Sequence, residues 1–160
     1  MLPDTQVGHT RDELLPVSWR SRRGDFVSLM TLYESNYVRL QNLVPALDAL
    51  EGAVTSNVAG DCPLHLRIES RGPYTTTFTL TYVFDSPAGQ FADPDLQVRV
   101  YHDARLAEVL SCAKWHRHEV LAAIKSDLHC QLGDRWLRNV MLNKWLDYCV
   151  ERGHRFAARA

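Results

Sequence analysis

Glycine is scarce in this chain. Only eight occur in 160 residues, and they do not cluster. No G-x-x-x-x-G-K-S/T, G-x-G-x-x-G or G-x-S-x-G is present. The phosphate-cradling loop, the dinucleotide-binding turn and the nucleophile elbow are therefore excluded. Among the four cysteines, Cys62, Cys112, Cys130 and Cys149, no two form a C-x-x-C. That argues against zinc-ribbon and thioredoxin-type sites. No stretch approaches the ~20 apolar residues of a membrane-spanning helix, so no membrane partner is expected. Residues 1–23 contain Asp4, Asp12, Glu13, Pro3 and Pro16 instead of an apolar run, so a secretory leader is not expected. Together these absences imply a cytoplasmic protein with reduced thiols.

An excess of positive charge is also missing. Lys+Arg total 18 against 19 Asp+Glu, a net charge of -1. Nucleic-acid domains usually carry a basic stripe, so that partner class is not expected. Only Lys114, Lys125 and Lys144 are lysines, so 15 of the 18 cations are Arg. Arginine suits planar, bidentate contacts to carboxylate or phosphate, although coding bias explains the same skew.

What is present is an ordinary globular composition, 46% hydrophobic and 23% charged. A chain of this size buries roughly 70% of its unfolded surface and needs no metal to fold. Residues 1–24 lack a sustained period and read as a flexible N-terminal arm, and 25–160 as one domain. Asp25 reads as an N-cap to a helix whose apolar face runs from Phe26 to Val44, with Pro45 stopping it. Residues 46–60, rich in breakers, read as a short helical or irregular link. From Leu64 the period becomes two. Leu64, Leu66 and Ile68 form one strand, and Tyr74 to Phe84 the strongest strand, β-branched and aromatic throughout. Residues 85–95 read as a loop. Leu96 to Tyr101 and Leu106 to Cys112 read as two further strands joined by the turn His102–Arg105. Residues 113–124 fit either a strand extension or a helical turn. Gly133-Asp134 opens a last helix, with Gly153 beyond its end. Helix, strands, helix predicts an α+β fold: an antiparallel meander of about four strands with both helices packed on one face.

The strand phase leaves a polar sheet face bearing Arg67, Glu69, Arg99, Tyr101, Glu108 and the row Thr75, Thr77, Thr79 and Thr81. Same-face residues stand about 6.6 Å apart along a strand, so these donors converge well enough to hold a small anion. A solvated face with cross-strand ion pairs is the plainer reading. Arg67, Arg99, Tyr101 and Glu108 are the candidate ligand-binding residues. His102 is a weak catalytic candidate. Its neighbour Asp103 points to the opposite face, so a dyad needs Asp61, Glu108 or Asp134 brought in by the fold. His116 and His118, with His129 and Cys130, resemble the start of a zinc site but fit no zinc pattern, and no metal or cofactor is expected. Trp136 and Trp145 lie nine residues apart, on opposite sides of the last helix. An exposed one would mark a protein-partner surface.

Val98 to Cys112, VRVYHDARLAEVLSC, resembles the central signature of the YqiB-like family, a bacterial domain of unknown function. YESNYVRLQNLVP, IESRGPYTTTFTL and NVMLNKWLDYCVERG are similar in the same order. The family's usual Tyr-Asp-Tyr-Pro-Asn run before the last helix is replaced here by VLAAIKSDLHC. The resemblance transfers no catalytic residue. Members are often encoded near genes of ADP-ribose hydrolysis and cyclic-nucleotide breakdown, which implies a nucleotide-linked role. The expectation is a non-enzymatic binding or regulatory module for a small anionic ligand or a protein partner. The alternative is a small hydrolase or transferase using His102 with an acidic neighbour.

Overall fold

A computed structural model of the chain describes residues 26–112, 119–128 and 134–157. The expected arm, the Asp25 cap, His116, His118, His129, Cys130 and Gly133 lie outside these residues. Helix α1 runs Phe26–Leu43 and strands follow at β1 Ala53–Ser56, β2 Leu64–Arg71, β3 Thr75–Ser86, β4 Gly89–Tyr101 and β5 Leu106–Ser111. Helices α2, Glu119–Leu128, and α3, Asp134–Glu151, complete the order. The strands form one antiparallel meander in the order β1-β2-β3-β4-β5. The α+β architecture with an N-terminal and a C-terminal helix is as the sequence pattern predicts.

Two segments differ from that reading. The link expected over 46–60 contains a 3-10 turn at Leu47–Ala49 and a fifth strand, β1, paired with β2 from Ala53↔Arg67 to Ser56↔Leu64. Nor is 85–95 a loop. β3 continues to Ser86, and the hairpin turns through Pro87 and Ala88 into β4, with Phe84 opposite Phe91. Proline and aspartate survive in a central strand because β4 carries an extra residue at Asp93-Pro94-Asp95. The register shifts there, between Leu80↔Leu96 and Tyr82↔Asp93. The backbone N–H of Asp95 donates to Thr81 Oγ1 at 3.0 Å.

The apolar phase faces the helices. Leu64, Leu66, Phe78, Leu80, Tyr82, Leu96 and Val98 are fully buried against Leu40, Leu43, Met141, Leu142, Trp145 and Cys149. Tyr82 meets Trp145 edge-on with ring centroids 5.2 Å apart. Trp136 packs separately with Leu32 and Val140. Both tryptophans are buried, at 5% and 0% exposure, so neither offers the partner surface considered above. Helix α3 ends as the sequence indicates. Gly153 takes φ +97°, its N–H donates to Val150 O, and His154 N–H reaches back to Cys149 O. These two bonds form the Schellman closure, which needs a residue that tolerates the left-handed conformation.

Helices α1 and α3 also seal the β5 edge of the sheet. Asn36 donates to Ala107 O, and Val109 N–H donates to Asn139 Oδ1 at 3.0 Å. Behind them Asn143 reaches Ser35 and Asn36, while Arg39 joins Ser35 at 2.7 Å to Asp147 at 2.9 Å. Among the described residues, no helix is long and apolar enough to cross a membrane.

Candidate functional site

The outer face of the sheet divides into two polar groups. On β2, Arg67 Nε donates to Glu69 Oε1 at 2.9 Å, and Thr79 Oγ1 donates to the same oxygen at 2.9 Å. Thr79 and then Arg67 hold the Glu69 carboxyl below its usual pKa. Arg67 is thus matched by a carboxylate of its own strand, and its side chain is mostly solvated.

Arg99, on β4, has a different environment. Its Nε donates to the buried Thr77 hydroxyl at 3.2 Å, and its guanidinium also bonds the Tyr101 phenol. Glu108 on β5 lies directly opposite Arg99 in the register. Its carboxylate is nonetheless taken by Tyr101, which donates to Oε1 at 2.6 Å, and by Tyr33 of α1. Burial, then the Glu108 charge, pushes Tyr33 up to about 12; hydrogen bonding to Glu108 raises Tyr101. Tyr101 therefore contacts both the cation and the anion. Among the described residues Arg99 forms no ion pair.

The structure thus gathers Arg99, Tyr101 and Glu108 and leaves Arg67 apart, on the far side of β3. Two strand spacings and a two-residue offset in register put the two arginine backbones about 12 Å apart. Sequence reasoning missed Tyr33, which it placed only on the apolar face of α1. The available signal was chemical: a buried tyrosine needs a partner for its hydroxyl. Arg135 of α3 lies close enough for its charge to act on Tyr33, and no sequence pattern linked it to the sheet.

His102 sits elsewhere. Its Nε2 is 2.8 Å from Thr76 Oγ1, which also receives Arg71 Nη1 at 3.0 Å. Arg71 in turn caps the 3-10 turn through Leu47 O and Leu50 O. The imidazole borders a cavity of about 170 Å³ with Tyr37, Gln41 and Asp48. Of the carboxylates considered for it, Glu108 is held by the tyrosines and Asp61 by His154 and Tyr82.

That last group is a Ser-His-Asp chain no spacing announced. His154 Nδ1 is 2.9 Å from Ser56 Oγ and Nε2 is 2.9 Å from Asp61 Oδ2. Tyr82 also donates to Asp61 Oδ2, at 2.8 Å. The chain is closed to substrate: Ser56 is 8% and His154 2% exposed, and Ser56 Oγ already accepts the Arg155 N–H. Its effect is to fasten the segment after α3 to β1 and the β1–β2 loop. Burial raises the Cys149 thiol beside Tyr82 to about 12 and raises Cys62 as well, so neither is an activated nucleophile. Among the described residues no three His, Cys, Asp or Glu side chains converge on a metal position.

Residues 39–155 match a family model described as a protein of unknown function, DUF1249. The chain is 32% identical over 130 residues to the uncharacterized protein YqiB of Escherichia coli K12, covering 81% of this chain and 91% of that protein. The same values hold for YqiB of E. coli O6:H1 and of E. coli O157:H7. No solved structure matches.

Proposed function

The chain belongs to the DUF1249 family, a family of unknown function, and from that premise we propose that it is a binding or regulatory module whose outer sheet face takes a small anionic ligand at Arg99. The observation that carries this reading is the state of Arg99. It is half-buried, held in place by the Thr77 and Tyr101 hydroxyls, and matched by no carboxylate among the described residues. A cation oriented by neutral groups keeps its charge for an incoming anion, and a guanidinium presents paired donors to phosphate or carboxylate. Tyr101 and Glu108 set its position. Arg67 lies at the rim and reaches only a ligand long enough to cross β3, such as one with two separated phosphates. A nucleotide-like compound fits that span. The proposal places the protein in the cytoplasm, with its thiols reduced.

A thermal-shift series with inorganic phosphate, ADP-ribose, mononucleotides and cyclic nucleotides tests the reading. A ligand at 100 times its dissociation constant adds about 2.7 kcal/mol to the native state. At this chain length that is roughly 5–10 °C. Stabilisation that disappears in Arg99→Ala supports the site. No shift with any of these compounds counts against a small-anion ligand and leaves a protein partner as the reading to pursue by pull-down. Catalysis by His102 is the weaker reading, because its ring rests on the Thr76 hydroxyl.

A further inference from the structure

The two edges of the sheet are finished differently. At β5 the outward backbone groups of Ala107 and Val109 are taken by Asn36 and Asn139. At β1 they are not. Ile68 N–H donates to Gly52 O, which makes Gly52/Ile68 a hydrogen-bonded pair of the β1–β2 ladder. Antiparallel pairs alternate, so Val54 and Ser56 also turn their backbone groups toward β2, while Ala53 and Thr55 turn theirs outward. Among the described residues no hydrogen bond reaches these outward groups. An open groove of about 720 Å³ runs beside them, lined by Leu50, Glu51, Thr55, Arg155 and Phe156 among others.

We propose that this edge pairs with the same edge of a second copy of the chain, joining two five-stranded sheets into one of ten strands across a two-fold axis. Such an interface must be self-complementary, and this edge is. Centring the axis on Val54 brings Ala53 opposite Thr55 of the other copy. Both residues carry outward donors and acceptors, so the two equivalent pairs make four new ladder bonds. Glu51 precedes β1, and Arg155 lies at its far end, where its N–H meets Ser56. Antiparallel pairing sets the beginning of one strand against the end of the other, so each Glu51 meets the Arg155 of the second copy. Both residues are exposed, and neither has an ion-pair partner within the chain among the described residues. The Ser56–His154–Asp61 chain fixes the segment that carries Arg155, so this charge is presented at a set position.

Sedimentation velocity over a broad concentration series tests this directly. The wild type is expected to pass from monomer to twice the monomer mass. Thr55→Pro deletes an outward N–H without touching the β1–β2 ladder, and is expected to stay monomeric with an unchanged circular dichroism spectrum. Glu51→Arg and Arg155→Glu are each expected to abolish the dimer, and the double exchange to restore it, which a general loss of folding would not do. Val54→Cys places two sulfurs at a pair whose Cα atoms are roughly 4.5 Å apart, close enough for a disulfide. Oxidation should then yield a covalent dimer that wild type does not form. A wild type that remains monomeric at every concentration overturns the proposal, as does a dimer that survives Thr55→Pro or occurs equally in both single charge variants.

Discussion

Two regions of this molecule are built from polar side chains, and they use them in opposite ways. In the seam where α1 and α3 meet the β5 edge, Asn36, Asn139, Asn143, Ser35 and Arg39 are buried, and each holds a partner across the interface. Nothing is left over to bind a ligand. On the outer sheet face, Tyr101 and Tyr33 occupy the Glu108 carboxylate, and Arg99 forms no ion pair among the described residues. A closed network fixes geometry; in the function proposed above, a charge held in place and unmatched among the described residues is what recognises the ligand. The comparison predicts that substitutions in the seam cost stability, while those on the face cost recognition.

The largest stability effect is expected in the seam. Asn139→Ala strands the Val109 N–H in the interior, while the Asn36 amide keeps Ala107 O and the Asn139 backbone O. At about 1–3 kcal/mol for an unsatisfied buried group, a loss of that size is expected in urea unfolding, with little effect on anion binding. A loss below that range would show that water reaches the seam.

Alkaline pH gives the next effect. Tyr33 ionises near 12 in the fold against an ordinary value of 10.0. Its contribution is fully present below pH 10 and is lost between pH 10 and 12, because the unfolded chain gives up the proton first. Cys149, raised from 9.0 to about 12, acts in the same direction from pH 9 upward. Tyr33→Phe should therefore flatten the fall in melting temperature above pH 10 without abolishing it. An unchanged slope would mean that Tyr33 is not held by burial and Glu108.

Tyr101→Phe is expected to cost about 1 kcal/mol, since a charged acceptor loses one donor at a partly solvated position. Its effect on binding should be greater than that on stability. Without the phenol, Glu108 can turn to Arg99, which lies opposite it, and close the site. Binding retained in Tyr101→Phe would contradict the spacer role assigned to this hydroxyl. Arg67→Ala should do least, changing stability by less than about 0.5 kcal/mol. Its clearest trace should be a rise of the Glu69 carboxyl toward its ordinary value, read by NMR titration, because one of its two donors has gone.

Much of the fold can be read from local pattern, and the exceptions have physical causes. The phases of β2, β3, β4 and β5 are legible because alternating burial imposes a period of two on residues such as Leu64, Leu66, Phe78, Leu80, Leu96 and Val98. Pro45 and Gly153 mark helix ends through backbone chemistry alone. β1 is invisible because four residues between Gly52 and Asn57 are too few to show a period. The β3–β4 hairpin reads as a loop because Asp93, Pro94 and Asp95 are turn residues, whereas here they form a bulge completed by Thr81. Arg99, Tyr101 and Glu108 could be grouped because one strand phase carries them. Tyr33 could not, since α1 reaches β5 only through tertiary packing. His154 lies more than 90 residues along the chain from both Ser56 and Asp61, and their meeting follows from the Schellman turn at Gly153.

The central claim is that Arg99 is a cation held in place and, among the described residues, matched by no carboxylate. Calorimetric titration of ADP-ribose into wild type, Arg99→Ala and Glu108→Gln tests it most directly. The account predicts binding to wild type, loss in Arg99→Ala, and tighter binding in Glu108→Gln, where the opposing charge has gone and the fold remains. Equal affinity in wild type and Arg99→Ala would contradict it.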